Sequence, residues 1–270
     1  MKRICPICRA GAEPDAFELG GYRIYACSRC GLRFAPDAFD ARVDYEAMYE
    51  TDEYQAEQLR PLESSADQSG WADYVTYAPF FIQVIQRPGA RLLDVGCGVG
   101  RFCHAASSRG WDVTGIDVSE RAIEAGSRLA PFPMRKCTIE EIAQEGELYD
   151  VVTAFEVLEH LADPVKFLSL IAKVLRPGGQ VFCTVPNWDC SLIQNASRPD
   201  WMPPVHVCFF TRSALKHAVD AAGFRGIAVH TISGDPPPKG ALAKAKWLRR
   251  RLLRRPVQRV GLSLHAWLPE

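Results

Sequence analysis

The stretch Ala90-Arg-Leu-Leu-Asp94-Val-Gly96-Cys97-Gly98-Val-Gly100-Arg-Phe-Cys-His104 decides how this chain folds. Arg91 to Val95 is a short apolar run with Asp94 near its end. Three glycines follow at alternate positions, and Phe102, Ala105 and Ala106 then recur at the spacing of one helix face. The pattern predicts a buried strand, a glycine loop and a helix, the first half of a βαβ unit. Glycines in such a loop let the backbone take positive φ and come close to a ligand. A dinucleotide fingerprint would need a third glycine where Arg101 stands, so the spacing is Asp-x-Gly-x-Gly-x-Gly instead. The alternative is a tight turn that binds nothing.

A second apolar strand, Trp111-Asp-Val-Thr-Gly-Ile-Asp117, ends in an acid about twenty residues beyond the loop. A carboxylate at that strand end can accept hydrogen bonds from both hydroxyls of a ribose. The competing reading makes Asp117 a cap or first-turn acid for the helix that begins at Ser119-Glu-Arg-Ala.

Outward from this unit, 270 residues with 47% hydrophobic content can bury one α/β core with small additions. A formal charge of zero argues against a global nucleic-acid binder. No segment has the length of an apolar membrane span, and the start Met-Lys-Arg-Ile-Cys lacks a signal-peptide core. The expectation is a cytoplasmic protein.

Ten cysteines are present, but their spacing is not that of a disulfide framework. Cys5-Pro-Ile-Cys8 and Cys27-Ser-Arg-Cys30 are two C-x-x-C knuckles eighteen residues apart, which predicts a closed, tetrahedral structural zinc site rather than a redox pair. Such a site folds a segment too small for its own core. The remaining six cysteines read as small buried hydrophobes. Residues 1–40 are therefore expected to form a zinc ribbon, with a hairpin turn at Gly20-Gly21.

Residues 41–88 read as a helical linker or lid: Tyr45, Met48, Tyr49 and Tyr54 are loosely helical, and Trp71 to Gln86 reads as a helix. Residues 89–235 alternate strand and helix. After Asp117 come a helix over about Glu120–Leu129, a strand at Met134–Cys137, a helical turn at Ile139–Gln144 and a strand at Tyr149–Phe155. A helix over Pro164–Leu175, a strand at Gln180–Val185, a helix over Ser213–Ala222 and a strand at Ile227–Ile232 complete the series. Residues 236–270 open on three prolines, and Lys239 to Arg255 carries eight basic residues and no acid around Leu242, Trp247, Leu248, Leu252 and Leu253. This basic helix can dock on the core, lie on an anionic membrane surface such as the inner face of the cell membrane, or meet nucleic acid. Val260 to Leu268 reads as a last strand.

The order of elements, with the phrases Leu93-Asp-Val-Gly-Cys-Gly, Tyr149-Asp-Val-Val, Leu158-Glu-His and Leu175-Arg-Pro-Gly-Gly, resembles the class I S-adenosylmethionine (SAM) dependent methyltransferase superfamily over about Ala90–Ile232. The resemblance implies a doubly wound, mostly parallel sheet with SAM at the carboxyl ends of the strands. It implies Asp94, Gly96, Cys97, Gly98 and Gly100 at the methionine end, Asp117 and Val118 at the ribose, Thr138 and Ile139 near the adenine, and Phe155 at the fourth strand tip. The preceding ribbon is similar to that of a bacterial subgroup of small-molecule methyltransferases linked to sugar or polysaccharide modification.

Chemistry is concentrated at Glu156-Val-Leu-Glu159-His160. On one helical turn, positions i, i+3 and i+4 share a face, so two carboxylates and an imidazole would meet at the strand end. Adjacent carboxylates repel unless they hold a cation, share a proton or face water. His206 lies farther on, in Val205-His-Val-Cys-Phe-Phe-Thr211. Glu-x-x-Glu-His resembles ubiquinone-biosynthesis O-methyltransferases, and with the later histidine it is similar to the metal set of small-RNA 3′-terminal 2′-O-methyltransferases. The likeness implies that Glu156, Glu159, His160 and His206 hold a divalent ion such as Mg²⁺. Two other readings stay open: His160 as a general base without metal, helped by Glu159 and His206, or a turn that only packs.

The function expected is SAM-dependent methyl transfer to a small-molecule or glycan acceptor, at oxygen. RNA 2′-O-methylation and a SAM-binding protein without turnover are the alternatives.

Overall fold

The computed structural model describes residues 3–40, 77–84, 89–190, 201–232 and 261–269. Most of the linker, including Tyr45, Met48, Tyr49, Tyr54 and Trp71, and all of Lys239 to Arg255 lie outside the described residues. Among those described, no helix is long and apolar enough to cross a membrane.

The ribbon carries β1 (Arg3–Ile4), β2 (Gly11–Leu19), β3 (Tyr22–Ala26) and β4 (Arg33–Phe34). Gly20 and Gly21 both take positive φ between β2 and β3, as a tight hairpin turn demands. α1 (Ala78–Gln83) is what is described of the predicted Trp71–Gln86 helix.

Strand and helix then alternate: β5 (Arg91–Val95), α2 (Arg101–Ser107), β6 (Asp112–Asp117), α3 (Glu120–Ser127), β7 (Met134–Lys136), α4 (Ile139–Glu145) and β8 (Tyr149–Phe155). The second half holds α5 (Pro164–Val174), β9 (Leu175–Pro186), β10 (Cys208–Phe209), α6 (Arg212–Ala221), β11 (Arg225–Ile232) and β12 (Gly261–Trp267). Polar side chains start four of the helices. Ser119 caps α3, Thr138 forms a capping box with Glu141 on α4, Asp163 followed by Pro164 starts α5, and Thr211 caps α6.

Seven strands form one sheet in the order β11-β12-β9-β8-β5-β6-β7. β9, β8, β5, β6 and β7 run parallel, whereas β12 is antiparallel to both its neighbours. The last strand is thus inserted inside the sheet. β9 starts earlier than the predicted Gln180 because Arg176-Pro-Gly-Gly does not end the pairing. Its register jumps instead, from Tyr149↔Leu175 to Val151↔Gln180.

Successive residues of β5 feed opposite faces, as strand geometry requires: Leu92 packs with Phe102, Ala106 and Phe80, and Leu93 with the side of Ile142, Leu168 and Leu215. Both faces being apolar, the parallel strands are buried under helices on each side. The chain reverses direction between β5 and β8, and their carboxyl ends open side by side. That is where doubly wound sheets hold ligands.

The ribbon is not a detached bead. β10, from the second half of the chain, pairs antiparallel with β4, so a five-stranded sheet runs β1-β2-β3-β4-β10.

Candidate active site

Two loops face each other across the crevice. The first, Gly96–Gly100, follows β5, and all three of its glycines have positive φ. A Cβ on Gly96 would come within 2.7 Å of Val157, on the opposing loop, whereas one on Gly98 would meet nothing within 4 Å among the described residues. Gly98 therefore borders open space, as a loop must if backbone is to lie against a ligand. Asp117 ties the loop to β6: its carboxylate accepts from the Gly98 N–H at 2.8 Å and the Ser119 N–H at 2.9 Å. Each carboxylate oxygen keeps a second acceptor site, so sugar hydroxyls can add to these bonds. Burial pushes the Asp117 carboxyl up, against the backbone bonds that lower it. Val118, the next residue, exposes its apolar side chain. Loop, acid and apolar step together form a donor and acceptor set that can hold a nucleoside.

Two predicted contacts come out differently. Asp94 is 2% exposed, and its carboxylate accepts from the Thr153 hydroxyl at 2.7 Å and the Cys103 thiol at 3.4 Å. It braces the loop from beneath, and burial raises it to about 7. Ile139 is buried in the core with Ile116 rather than offered to a ligand, because the capping box turns it inward at the first position of α4. Cys97 is also buried, leaving its backbone to the loop. Thr138 gives its hydroxyl to the box with Glu141. Phe155 stands at the β8 tip with ring centroids 4.5 Å from Phe102 and 4.9 Å from Tyr77.

The second loop corrects the predicted helical turn. Glu156 takes left-handed backbone, φ 55°, and only Leu158–His160 wind, as a short 3-10 turn. Glu156 is exposed and stands outside the cluster that forms, in which ligand atoms of Glu159, His160 and His206 lie within 4.8 Å of one another. Glu159 is 1% exposed, and neither of its oxygens has a hydrogen-bond partner among the described residues. Its carboxyl is pushed well above the ordinary range by burial and by the charge of Glu156. His160 Nε2 is 4.0 Å from Glu159. Its Nδ1 is 2.9 Å from the Val205 carbonyl, which makes Nδ1 a protonated nitrogen. Burial lowers the His160 pKa, against the Val205 and Glu156 backbone groups that raise it. The imidazoles of His160 and His206 meet edge to face at 4.7 Å. A buried carboxylate and two imidazoles with no partner for the carboxylate form a donor set that a divalent cation can satisfy.

Sequence reasoning missed three groups here. Thr184, paired across β8–β9 with Phe155, supplies the carbonyl that holds the Glu156 N–H at 3.0 Å. Val205 supplies the carbonyl for His160, and Val207 donates to the Glu159 carbonyl at 2.8 Å. Val205 and Val207 carry no side-chain signal, since they act through their backbone.

In the ribbon, the four Sγ atoms of Cys5, Cys8, Cys27 and Cys30 lie within 4.8 Å of one another, with Cys5–Cys30 at 3.5 Å and Cys8–Cys27 at 3.4 Å. Disulfide sulfurs would stand about 2 Å apart. Sulfurs bound about 2.3 Å from one zinc ion lie near 3.8 Å from each other, so this set fits a tetrahedral thiolate site. The hydrogen bond with Cys30 pulls the Cys5 thiol down to about 5 and holds that of Cys30 up.

Comparison with known proteins agrees with this fold. A methyltransferase-domain family model matches residues 64–229. The ubiquinone biosynthesis O-methyltransferase of Idiomarina loihiensis is 33% identical over 162 residues, 55% of this chain and 67% of that protein. Its counterpart from Dechloromonas aromatica is 39% identical over 115 residues, 39% of this chain and 48% of that protein. Among solved structures, a SAM-dependent methyltransferase from Mesorhizobium loti superposes with TM-score 0.55 at 20% identity, over 73% of this chain and all of that one. A chain of the complex between the Haloferax volcanii Trm112 methyltransferase activator and its putative methyltransferase gives TM-score 0.62 at 15% identity, over 86% of this chain and all of that one. The sheet order, the glycine loop closed by an acid on the next strand and the match over residues 64–229 lead to one conclusion: the chain belongs to the methyltransferase-domain family, as a class I SAM-dependent methyltransferase.

Proposed function

We propose that the protein methylates a hydroxyl of a small molecule that carries two neighbouring hydroxyls, a catechol-like ring or a sugar, with a divalent ion at Glu159, His160 and His206. The observation that carries this reading is Glu159: a buried carboxylate whose two oxygens take no hydrogen bond among the described residues, beside two imidazoles, at the strand tips next to the glycine loop. Relatives named for ubiquinone-biosynthesis O-methylation favour a small acceptor over RNA.

SAM would lie along Gly96–Gly100 with its ribose at Asp117, and supplies a methyl on a sulfonium already activated for transfer. The ion, when bound, lowers the proton affinity of a neighbouring hydroxyl. The chain contributes position. Gly98 leaves room for the cofactor, and the Val205 and Val207 backbone groups hold His160 and Glu159 in place. Glu156, exposed at the crevice, can accept the proton that the acceptor gives up. Zinc in the ribbon completes the proposal as a structural ion, on the strength of the four converging thiols.

A second reading has its own support: the Nδ1–H bond to Val205 and the burial of His160 suit an imidazole that serves as the base for the acceptor proton without metal. The test is release of S-adenosylhomocysteine with 3,4-dihydroxybenzoate, a sugar and a short RNA as acceptors, before and after chelation. Turnover of the first two that stops on chelation and returns with Mg²⁺ or Mn²⁺ supports the proposal. Turnover indifferent to chelation leaves His160 as the base. Tight SAM binding with no turnover of any acceptor overturns both.

A further inference from the structure

The ribbon reaches the crevice through one strand. Cys27 and Cys30 form the knuckle that leads into β4, with the Cys27 N–H on the Leu32 carbonyl at 2.9 Å and the Gly31 N–H on the Cys27 carbonyl at 2.8 Å. β4 then pairs with β10, Phe34 opposite Cys208 and Arg33 opposite Phe209. The bonding continues: the Ala35 N–H donates to the Val207 carbonyl at 2.9 Å, and the Val207 N–H donates to the Glu159 carbonyl at 2.8 Å. Val205, two residues before, receives His160 Nδ1, and His206 lies between the two. Every member of the Glu159–His160–His206 cluster is therefore on, or bonded to, a segment whose other edge is held by the ribbon.

Further contacts fasten the same segment. The Thr211 hydroxyl donates to the Gly31 carbonyl at 3.3 Å, inside the second knuckle. The Gly20 hairpin turn is set against the Pro203 carbonyl so closely that a Cβ there would stand 2.6 Å from it. Trp188, just past β9, packs its ring on Phe17 of the ribbon at 5.4 Å and Phe209 at 5.3 Å, with the Arg33 guanidinium 5.2 Å above it. A segment of 203–209 with two paired residues cannot fix side-chain geometry alone. It needs a rigid neighbour, and a four-thiolate ion supplies rigidity to the two-residue β4.

We propose that the four-cysteine ribbon is the positioning element of the acceptor half of the active site: an ion on Cys5, Cys8, Cys27 and Cys30 fixes β4, β4 fixes 205–209, and that segment fixes His206, His160 and Glu159. The inference rests on the reading of those three residues as the acceptor site. Its consequence is a division of labour in which loss of the ribbon ion disables transfer while the cofactor half, built on β5 and β6, keeps its ligand.

The experiment uses the full chain purified with bound zinc, stripped with a zinc-selective chelator under reducing conditions and returned to excess Mg²⁺. Hydrogen exchange is measured over 203–209, 158–161 and 91–117, S-adenosylhomocysteine affinity by calorimetry, and kcat and KM with 3,4-dihydroxybenzoate. Stripping is expected to speed exchange at 203–209 and 158–161 by at least about tenfold, to lower kcat, and to leave exchange at 91–117 and the affinity within about twofold, with recovery on adding zinc. Gly20→Ala, which keeps all four thiols, is expected to loosen 203–209 while retaining zinc and cofactor affinity. Unchanged exchange at 203–209 after stripping overturns the proposal. So does loss of cofactor binding in parallel with the ion, which would make the ribbon a requirement of the whole fold. If the zinc-loaded protein transfers no methyl to 3,4-dihydroxybenzoate, the acceptor reading fails on that result, and exchange and affinity still decide this one.

Discussion

The two halves of the crevice are built by different means. In the cofactor half, one strand, one loop and the next strand supply everything, and the polar groups are paired: Gly98 with Asp117, Asp94 with Thr153. In the proposed acceptor half, Glu159 and His206 come from distant segments, and neither oxygen of the buried carboxylate has a hydrogen-bond partner among the described residues. Paired groups describe a site that is complete before its ligand arrives. Unpaired buried ones describe a site whose stability is spent on what it will bind.

The largest effect that can break this division is at His160. His160→Gln is expected to lower kcat by roughly 100- to 10,000-fold while S-adenosylhomocysteine affinity stays within about twofold. Calorimetry beside single-turnover rates checks it, and a parallel loss of affinity would merge the halves. The converse change, Asp117→Ala, removes acceptors for two hydroxyls and is expected to weaken that affinity roughly 100-fold. Saturating SAM should then restore most of the rate.

Asp94 sharpens the comparison through pH. Its carboxyl is raised by burial to about 7, so the folded state holds a proton that the unfolded chain releases. That contribution is full below about pH 4 and is lost as pH climbs towards 7. Asp94→Asn has no charge to bury, and is expected to be more stable than the parent at pH 8 by about 4 kcal/mol, near neutral at pH 4. Urea unfolding at the two pH values measures this. The smallest effect is at Glu156, whose left-handed backbone is costly for any residue with a Cβ. Glu156→Gly is expected to gain about 1 kcal/mol in the same unfolding assay and to lose turnover.

These halves were also unequally legible. A strand that breaks into alternate glycines, with an acid at the next strand tip, is local information, and the structure carries it out from Arg91 to Asp117. What remained unreadable there was direction: nothing in the spacing says that Asp94 turns towards Thr153 or that the capping box buries Ile139. Across the crevice, the face assigned to Glu156, Glu159 and His160 assumed a helical turn. The left-handed residue at 156 breaks that periodicity, and the cluster closes through Val205 and Val207, which act by backbone alone. The cysteine knuckles were readable from spacing, but the pairing of β4 with β10, across more than 170 residues, was not.

The placement of β12 bears on synthesis. Residues 261–267 lie between β9 and β11 and supply hydrogen bonds to both, so until they emerge each of those strands presents a bare edge to solvent or to a chaperone. A ribosome can complete the glycine-loop half of this molecule early, yet the sheet stays split until residues 261–267 have been made, and a chain cut short before residue 261 would meet its neighbours edge to edge.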